Sequence, residues 1–201
     1  MIIQIPLGML EANCYLVYDA NGGDGVVVDP GGDVAPLLRE IERQKVTLKA
    51  ILNTHGHFDH IAGNADLARF NVPFAIHPAD RDLLTNGGGA AWFGLPEAPA
   101  VNPTLNLTEG FELTVGKLRL RVLETPGHTP GSVCLYLPEA QALLTGDTLF
   151  TGGVGRTDLP GGNPRALTES LKRLLSLPPE TVIYPGHGPT STLAQERRSN
   201  P

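Results

Sequence analysis

Thr54-His55-Gly56-His57-Phe58-Asp59-His60 places three imidazoles and a carboxylate within one short run, directly after an apolar stretch at residues 49–53. Gly56 permits a sharp backbone turn, so that side chains two positions apart can face one ion. Three further residues have the same address. His128 follows a predicted strand ending near Glu124, Asp147 one ending at Gly146, and His187 one ending at Tyr184. Loops at the carboxyl ends of strands converge on a common site while the sheet holds them in place. Any one of these histidines alone would read as an ordinary core or surface residue; their joint placement reads as a metal centre. His77, before Pro78 and without such company, reads as structural.

Imidazole nitrogen with carboxylate oxygen and no thiolate suits zinc, with iron or manganese as alternatives. His55, His57, Asp59, His60, His128, Asp147 and His187 are more donors than one tetrahedral ion uses, so two divalent ions sharing a carboxylate are expected. Two cations roughly 3.5–4 Å apart bring the pKa of a shared water towards about 7 and polarise a carbonyl or phosphoryl oxygen. The expected chemistry is hydrolysis.

Composition sets the frame. A chain of 201 residues, 41% hydrophobic, can bury a full core and suits one domain spanning 1–201. Its charge of −6, from 21 acidic and 15 basic side chains, comes with no basic run that could track a phosphate backbone. Nucleic acid is not an expected partner. Met1-Ile2-Ile3-Gln4-Ile5-Pro6 has no basic segment ahead of an apolar one, and no apolar stretch approaches the roughly 20 residues of a membrane span. A cytoplasmic protein acting on a small molecule, with no membrane partner, is expected. Cys14 and Cys134 lie in apolar strand-like runs and read as core thiols rather than nucleophiles.

Strands are expected at 2–7, 14–18 and 26–29, then an amphipathic helix over 33–44 with Asp33 as N-cap. A strand at 49–53, a helix at 61–70, a strand at 73–76 and a short helix at 79–84 continue an α/β alternation. Residues 87–103, rich in Gly, Ala and Pro and holding Trp92, read as a loop. Strands at 111–115, 117–124, 134–137 and 142–146 follow, then a helix at 164–175 capped by Asn163 with Pro164 at its first position. A strand at 182–184 and a helix near 193–197 close the chain.

The run from Thr54 to His60 resembles the Thr-His-x-His-x-Asp-His signature of the metallo-β-lactamase superfamily, and His128, Asp147 and His187 stand in the order of its remaining ligands. The resemblance implies an αββα four-layer sandwich. It also implies one metal at His55, His57 and His128, a second at Asp59, His60 and His187, and Asp147 bridging. Asp59 and Asp147 would be the carboxylates of the catalytic centre. Gly146-Asp147-Thr148-Leu149-Phe150, Gly155-Arg156-Thr157-Asp158 and Tyr184-Pro185-Gly186-His187-Gly188-Pro189 resemble the glyoxalase II-like (hydroxyacylglutathione hydrolase-like) and persulfide dioxygenase-like branch. That branch implies a thioester or another glutathione-type conjugate as substrate. True glyoxalase II enzymes carry a C-terminal helical region that grips glutathione, whereas this sequence ends at Pro201 and is similar to a short subgroup. Arg156 is a candidate for an anionic substrate group, and Trp92 and Phe93 for the pocket wall.

The rival within the branch is a mono-iron persulfide dioxygenase using His55, His128 and Asp147. A lactamase usually lacks an aspartate where Asp147 stands, and a flavodiiron oxidoreductase has Glu where His57 stands. A metal-stabilised binding module is the non-enzymatic alternative.

Overall fold

Sheet pairing in the computed structural model, which describes residues 1–20 and 22–200, begins with the predicted meander. β1 (Ile2–Leu7), β2 (Ala12–Tyr18) and β3 (Asp24–Val28) pair antiparallel. β4 (Thr47–Leu52), β5 (Phe74–Ile76) and β6 (Leu105–Asn106) then join in parallel, completing a six-stranded sheet in the order β1-β2-β3-β4-β5-β6. Parallel neighbours need crossovers. α1 (Ala35–Gln44) follows β3, α2 (Phe58–Ile61) and α3 (Asn64–Leu67) follow β4, and α4 (Arg81–Thr85) follows β5.

The second sheet is built from β7 (Glu112–Val115), β8 (Leu118–Glu124), β9 (Val133–Leu137) and β10 (Ala142–Gly146), all antiparallel. A small hairpin, β11 (Leu149–Phe150) and β12 (Gly153–Val154), precedes α5 (Pro164–Leu174). α5 carries the chain over to β13 (Val182–Pro185), parallel to β10, with β14 (Ser191–Thr192) at the edge and α6 (Leu193–Ser199) after it.

The period-2 alternation of strand side chains separates three cores. Between the sheets lie Tyr15, Val17, Val26, Val28 and Leu52 from the first, facing Val122, Leu135 and Leu144 from the second. Cys14, Leu16, Val27 and Ile51 point the other way, onto Leu37, Ile41, Ile61 and Leu67 of the helices. Leu123, Cys134, Leu143 and Ile183 meet Leu174 and Leu193 on the far side. The layers are therefore αββα, the sandwich that the resemblance implied, and both cysteines are free and buried in core clusters.

Several local expectations change. α1 starts at Ala35, because the Asp33 carboxylate accepts the Ala35 N–H at 2.9 Å one residue outside the cap position. The helix expected over 61–70 is broken: the Gly63 N–H donates to Pro30 O at 2.7 Å instead of continuing the helical ladder, and a 3-10 turn at Ala68–Phe70 finishes the segment. A helix instead begins inside the histidine run, at Phe58. Part of the loop expected at 87–103 is ordered as 3-10 turns over Gly87–Phe93, kinked at Gly88 and Gly89, with residues 87–90 buried. α5 matches its prediction: Asn163 Oδ1 accepts the Ala166 N–H at 3.0 Å, and Lys172 and Arg173 occupy its last turn. Among the described residues no helix is long and apolar enough to cross a membrane.

Candidate metal centre

The end of β4 delivers the histidine run, and its first residue fixes the turn. Thr54 donates its N–H (2.7 Å) and its hydroxyl (2.6 Å) to the Asp29 carboxylate at the end of β3. Asp29 Oδ2 also faces His60 Nδ1 at 3.2 Å. One buried carboxylate thus sets both the strand end and the orientation of His60, leaving His60 Nε2 to face inward.

Two groups of donors converge. His55, His57 and His128 offer ring nitrogens within 4.8 Å of one another, and Asp59, His60 and His187 do the same. Asp147 stands between them, with Oδ1 3.3 Å from His60 Nε2 and Oδ2 3.7 Å from His128 Nε2 and 3.8 Å from His187 Nε2. A third grouping, Asp29 with His55 and His60, meets the same distance limit. Its carboxylate already accepts two hydrogen bonds from Thr54, so it orients donors rather than adding one.

Whether these residues fit a metal is answered by what they leave unpaired. His55 Nε2, His57 Nε2, His60 Nε2 and Asp147 Oδ1 are buried without a hydrogen-bond partner; the 3.3 Å approach of His60 to Asp147 lacks hydrogen-bond alignment. Unsatisfied buried polar atoms are uncommon. Four in one place, all of ligating type, fit divalent cations.

Burial, with the neighbouring His128 and His60, pushes the His57 imidazole down to about 4, and burial lowers His55 as well. Both rings are therefore in the neutral form that ligates. Burial opposes ionisation of Asp59 and Asp147, but the charge of His60 outweighs it and holds both below the usual carboxylate range. His60 is raised despite burial by the carboxylates of Asp147 and Asp59, and His187 by its contact with Asp59.

Supporting contacts come from distant segments. His128 Nδ1 lies 2.8 Å from the main-chain oxygen of Arg156. Asp80, fully buried, accepts from Gly56 N (2.9 Å), Thr129 Oγ1 (2.6 Å) and Gly131 N (2.7 Å), tying the His57 loop to the His128 loop. Asn13 Nδ2 and Tyr15 Oη donate to Pro185 O at 2.9 and 2.7 Å, so a strand of the first sheet holds the His187 turn of the second. Sequence reading found none of these roles. Asp80 carried only the signal of a helix start after His77-Pro78, and Asn13 and Tyr15 only that of a strand.

A cavity of about 190 Å³ lies over the donors, walled by Leu10, Phe58, Phe93 and Leu159, with His57, Asp59, His128, Asp147, Arg156 and His187 also lining it. Phe93 packs at 6.0 Å from Phe58. Trp92 is not on this wall: its ring meets the edge of His57 at 6.1 Å and lines a neighbouring groove with Asp82 and Glu97. The Arg156 guanidinium is held by Asp158 at 2.8 and 2.7 Å. His77 is structural, its Nδ1 accepting the Ala79 N–H and its Nε2 3.1 Å from Glu124.

The sequence matches the metallo-beta-lactamase superfamily over residues 7–187. It is 37% identical to the hydroxyacylglutathione hydrolase GloC of Haemophilus influenzae, across 98% of this chain and 95% of that protein. The structure superposes on that of the BLEG-1 B3 metallo-β-lactamase with a TM-score of 0.94 at 38% identity, covering 100% and 98% of the two chains. It superposes on TTHA1623 in a di-iron-bound form with a TM-score of 0.87 at 44% identity, covering 99% and 98%. The chain belongs to the metallo-β-lactamase superfamily, a superfamily of metal-dependent hydrolases that bind divalent metals.

Proposed function

We propose that this chain, folded as one domain over residues 1–201, is a binuclear metal-dependent hydrolase that cleaves an acyl thioester in the cytoplasm. The observation that carries the reading is Asp147, whose two oxygens face the two donor groups from between them. His55, His57 and His128 would hold one ion, and Asp59, His60 and His187 the other, with zinc the expected metal. A pair of divalent cations bound there supplies an acidified water for attack and a Lewis acid for the carbonyl.

The chain's own residues prepare the site for that chemistry. Asp29 and the Arg156 carbonyl fix the ring orientations of His60 and His128, and the charge of bound cations would keep Asp59 and Asp147 ionised. Leu10, Phe58, Phe93 and Leu159 give the cavity an apolar wall beside the donors, against which the uncharged part of a substrate can pack. Likeness to GloC supports the thioester as substrate. Likeness to BLEG-1 favours a second reading, cleavage of a β-lactam amide by the same attack.

Metal analysis beside turnover of S-lactoylglutathione and nitrocefin tests the proposal. About two metals per chain with thioester cleavage is expected, and Asp147→Ala should lower the metal content and abolish that cleavage. A single iron per chain, oxygen uptake with glutathione persulfide and no thioester cleavage would overturn it in favour of a dioxygenase.

A further inference from the structure

Two grooves leave the cavity over the donors, and they differ in character. The first shares Leu10, Phe58 and Asp59 with that cavity and continues past Met9, Leu95 and Pro96 over the main chain of Gly31 and Gly32. The second shares Leu10 and His187 and passes Gln4, Glu11 and Asn13. Among the described residues no lysine lines the cavity or either groove, and the one arginine, Arg156, closes on Asp158 through two hydrogen bonds. Outside the donors themselves, the remaining side chain that bears fixed charge there is the carboxylate of Glu11. Met9 is 74% exposed, Leu10 49% and Phe93 48%, so large apolar side chains gather in water around one mouth. Such a patch beside a reactive site marks what the site binds.

We propose, resting on the thioesterase reading, that the enzyme selects a thioester bearing an uncharged apolar substituent, held in the groove between Leu10, Phe58, Leu95 and Pro96, in preference to a glutathione thioester. Glutathione brings two carboxylates to openings whose only guanidinium is already paired. An alkyl or aryl group leaves water on entering the groove, and each buried methylene is worth about fourfold in kcat/KM. The apolar group is either the acyl chain or the thiol, since both flank the bond that is cut.

The two ends are varied separately on the metal-loaded enzyme. One series keeps N-acetylcysteamine as thiol and lengthens the acyl group from acetyl to butyryl to hexanoyl. The other keeps the lactoyl group and changes the thiol from glutathione to N-acetylcysteamine to benzyl mercaptan. In one series kcat/KM should climb at least tenfold, which identifies the end that occupies the groove, and the glutathione thioester should be the poorest thiol variant. Met9→Asp and Leu95→Asp, both at the groove, should flatten that climb. A flat response in both series, or a preference for glutathione, overturns the proposal and leaves the thioesterase reading standing. Cleavage of no thioester at all overturns that reading and the proposal with it.

Discussion

Gly186 shows how little room the donor set leaves. A Cβ built there would overlap Asp147 Oδ1 and stand 2.8 Å from His60 Cε1. Its backbone is not in the left-handed region, so alanine at this position would be strained only by what it strikes. Gly186→Ala should therefore displace the Asp147 carboxylate, and a misplacement of about 1 Å in a catalytic group can cost on the order of a hundredfold in rate. Metal content and kcat measured together check this; full metal loading with wild-type turnover would show that the position of Asp147 is not critical. The donors themselves were legible in the sequence because histidines and aspartates at strand ends are uncommon and chemically distinctive. Asp80, Asn13 and Tyr15 were not, because they act by bonding main-chain atoms of loops that only the fold brings near them. Trp92 shows the same limit from the other side: its place in a Gly, Ala and Pro-rich loop was readable, but which groove it lines depends on the kink at Gly88 and Gly89.

At the scale of elements, the small hairpin β11–β12 carries Phe150 to within 6.3 Å of His187, and α6 anchors it. The buried Glu196 carboxylate accepts from Ser191 Oγ at 2.5 Å, Gly152 N at 2.8 Å and Asn200 Nδ2 at 2.9 Å. Burial alone would raise its pKa, but these donors outweigh it and hold the group below its ordinary 4.5. A carboxyl lowered on folding adds stability that is fully present above the unfolded value and is lost as pH falls through the folded one. Glu196→Gln should thus cost about 1–3 kcal/mol at pH 7, where it sets a donating amide NH2 against the N–H groups of Gly152 and Asn200 that Oε2 now accepts, and progressively less below pH 4.5. Urea midpoints at pH 7 and pH 3.5 measure the difference; a gap that stays constant with pH would refute the assignment. Elements of this size were not readable from sequence. β6, β11, β12 and β14 have two residues each, too few for alternation to show, whereas β1 and β10 were read at their observed bounds. The helix expected at 61–70 failed for a different reason, since the bond from Gly63 to Pro30 links segments far apart in sequence.

Across the whole molecule, the donors come from both sheets: His55 and His57 from the loop after β4, His128 from the connection between β8 and β9, Asp147 after β10 and His187 after β13. The alternating strand pattern could forecast faces, but not that two mixed six-stranded sheets would bring these ends together at one edge. Metal bound there would cross-link the sandwich at that edge and satisfy the unpartnered buried atoms of His55, His57, His60 and Asp147. Binding to the folded state alone stabilises by about 2.7 kcal/mol when free metal is a hundredfold above Kd. For a chain of this size that corresponds to roughly 5–10 °C in Tm. Chelation should therefore lower Tm by about that amount, and adding zinc back should restore it. The loss should also be local in hydrogen exchange: amides at residues 54–60, 126–129 and 185–188 should lose protection. The amides of α5, which packs on the far face of the second sheet through Leu174, should keep theirs. Equal Tm with and without chelator, or a uniform loss of protection over the chain, would mean that the two sheets are held together without help from the metal.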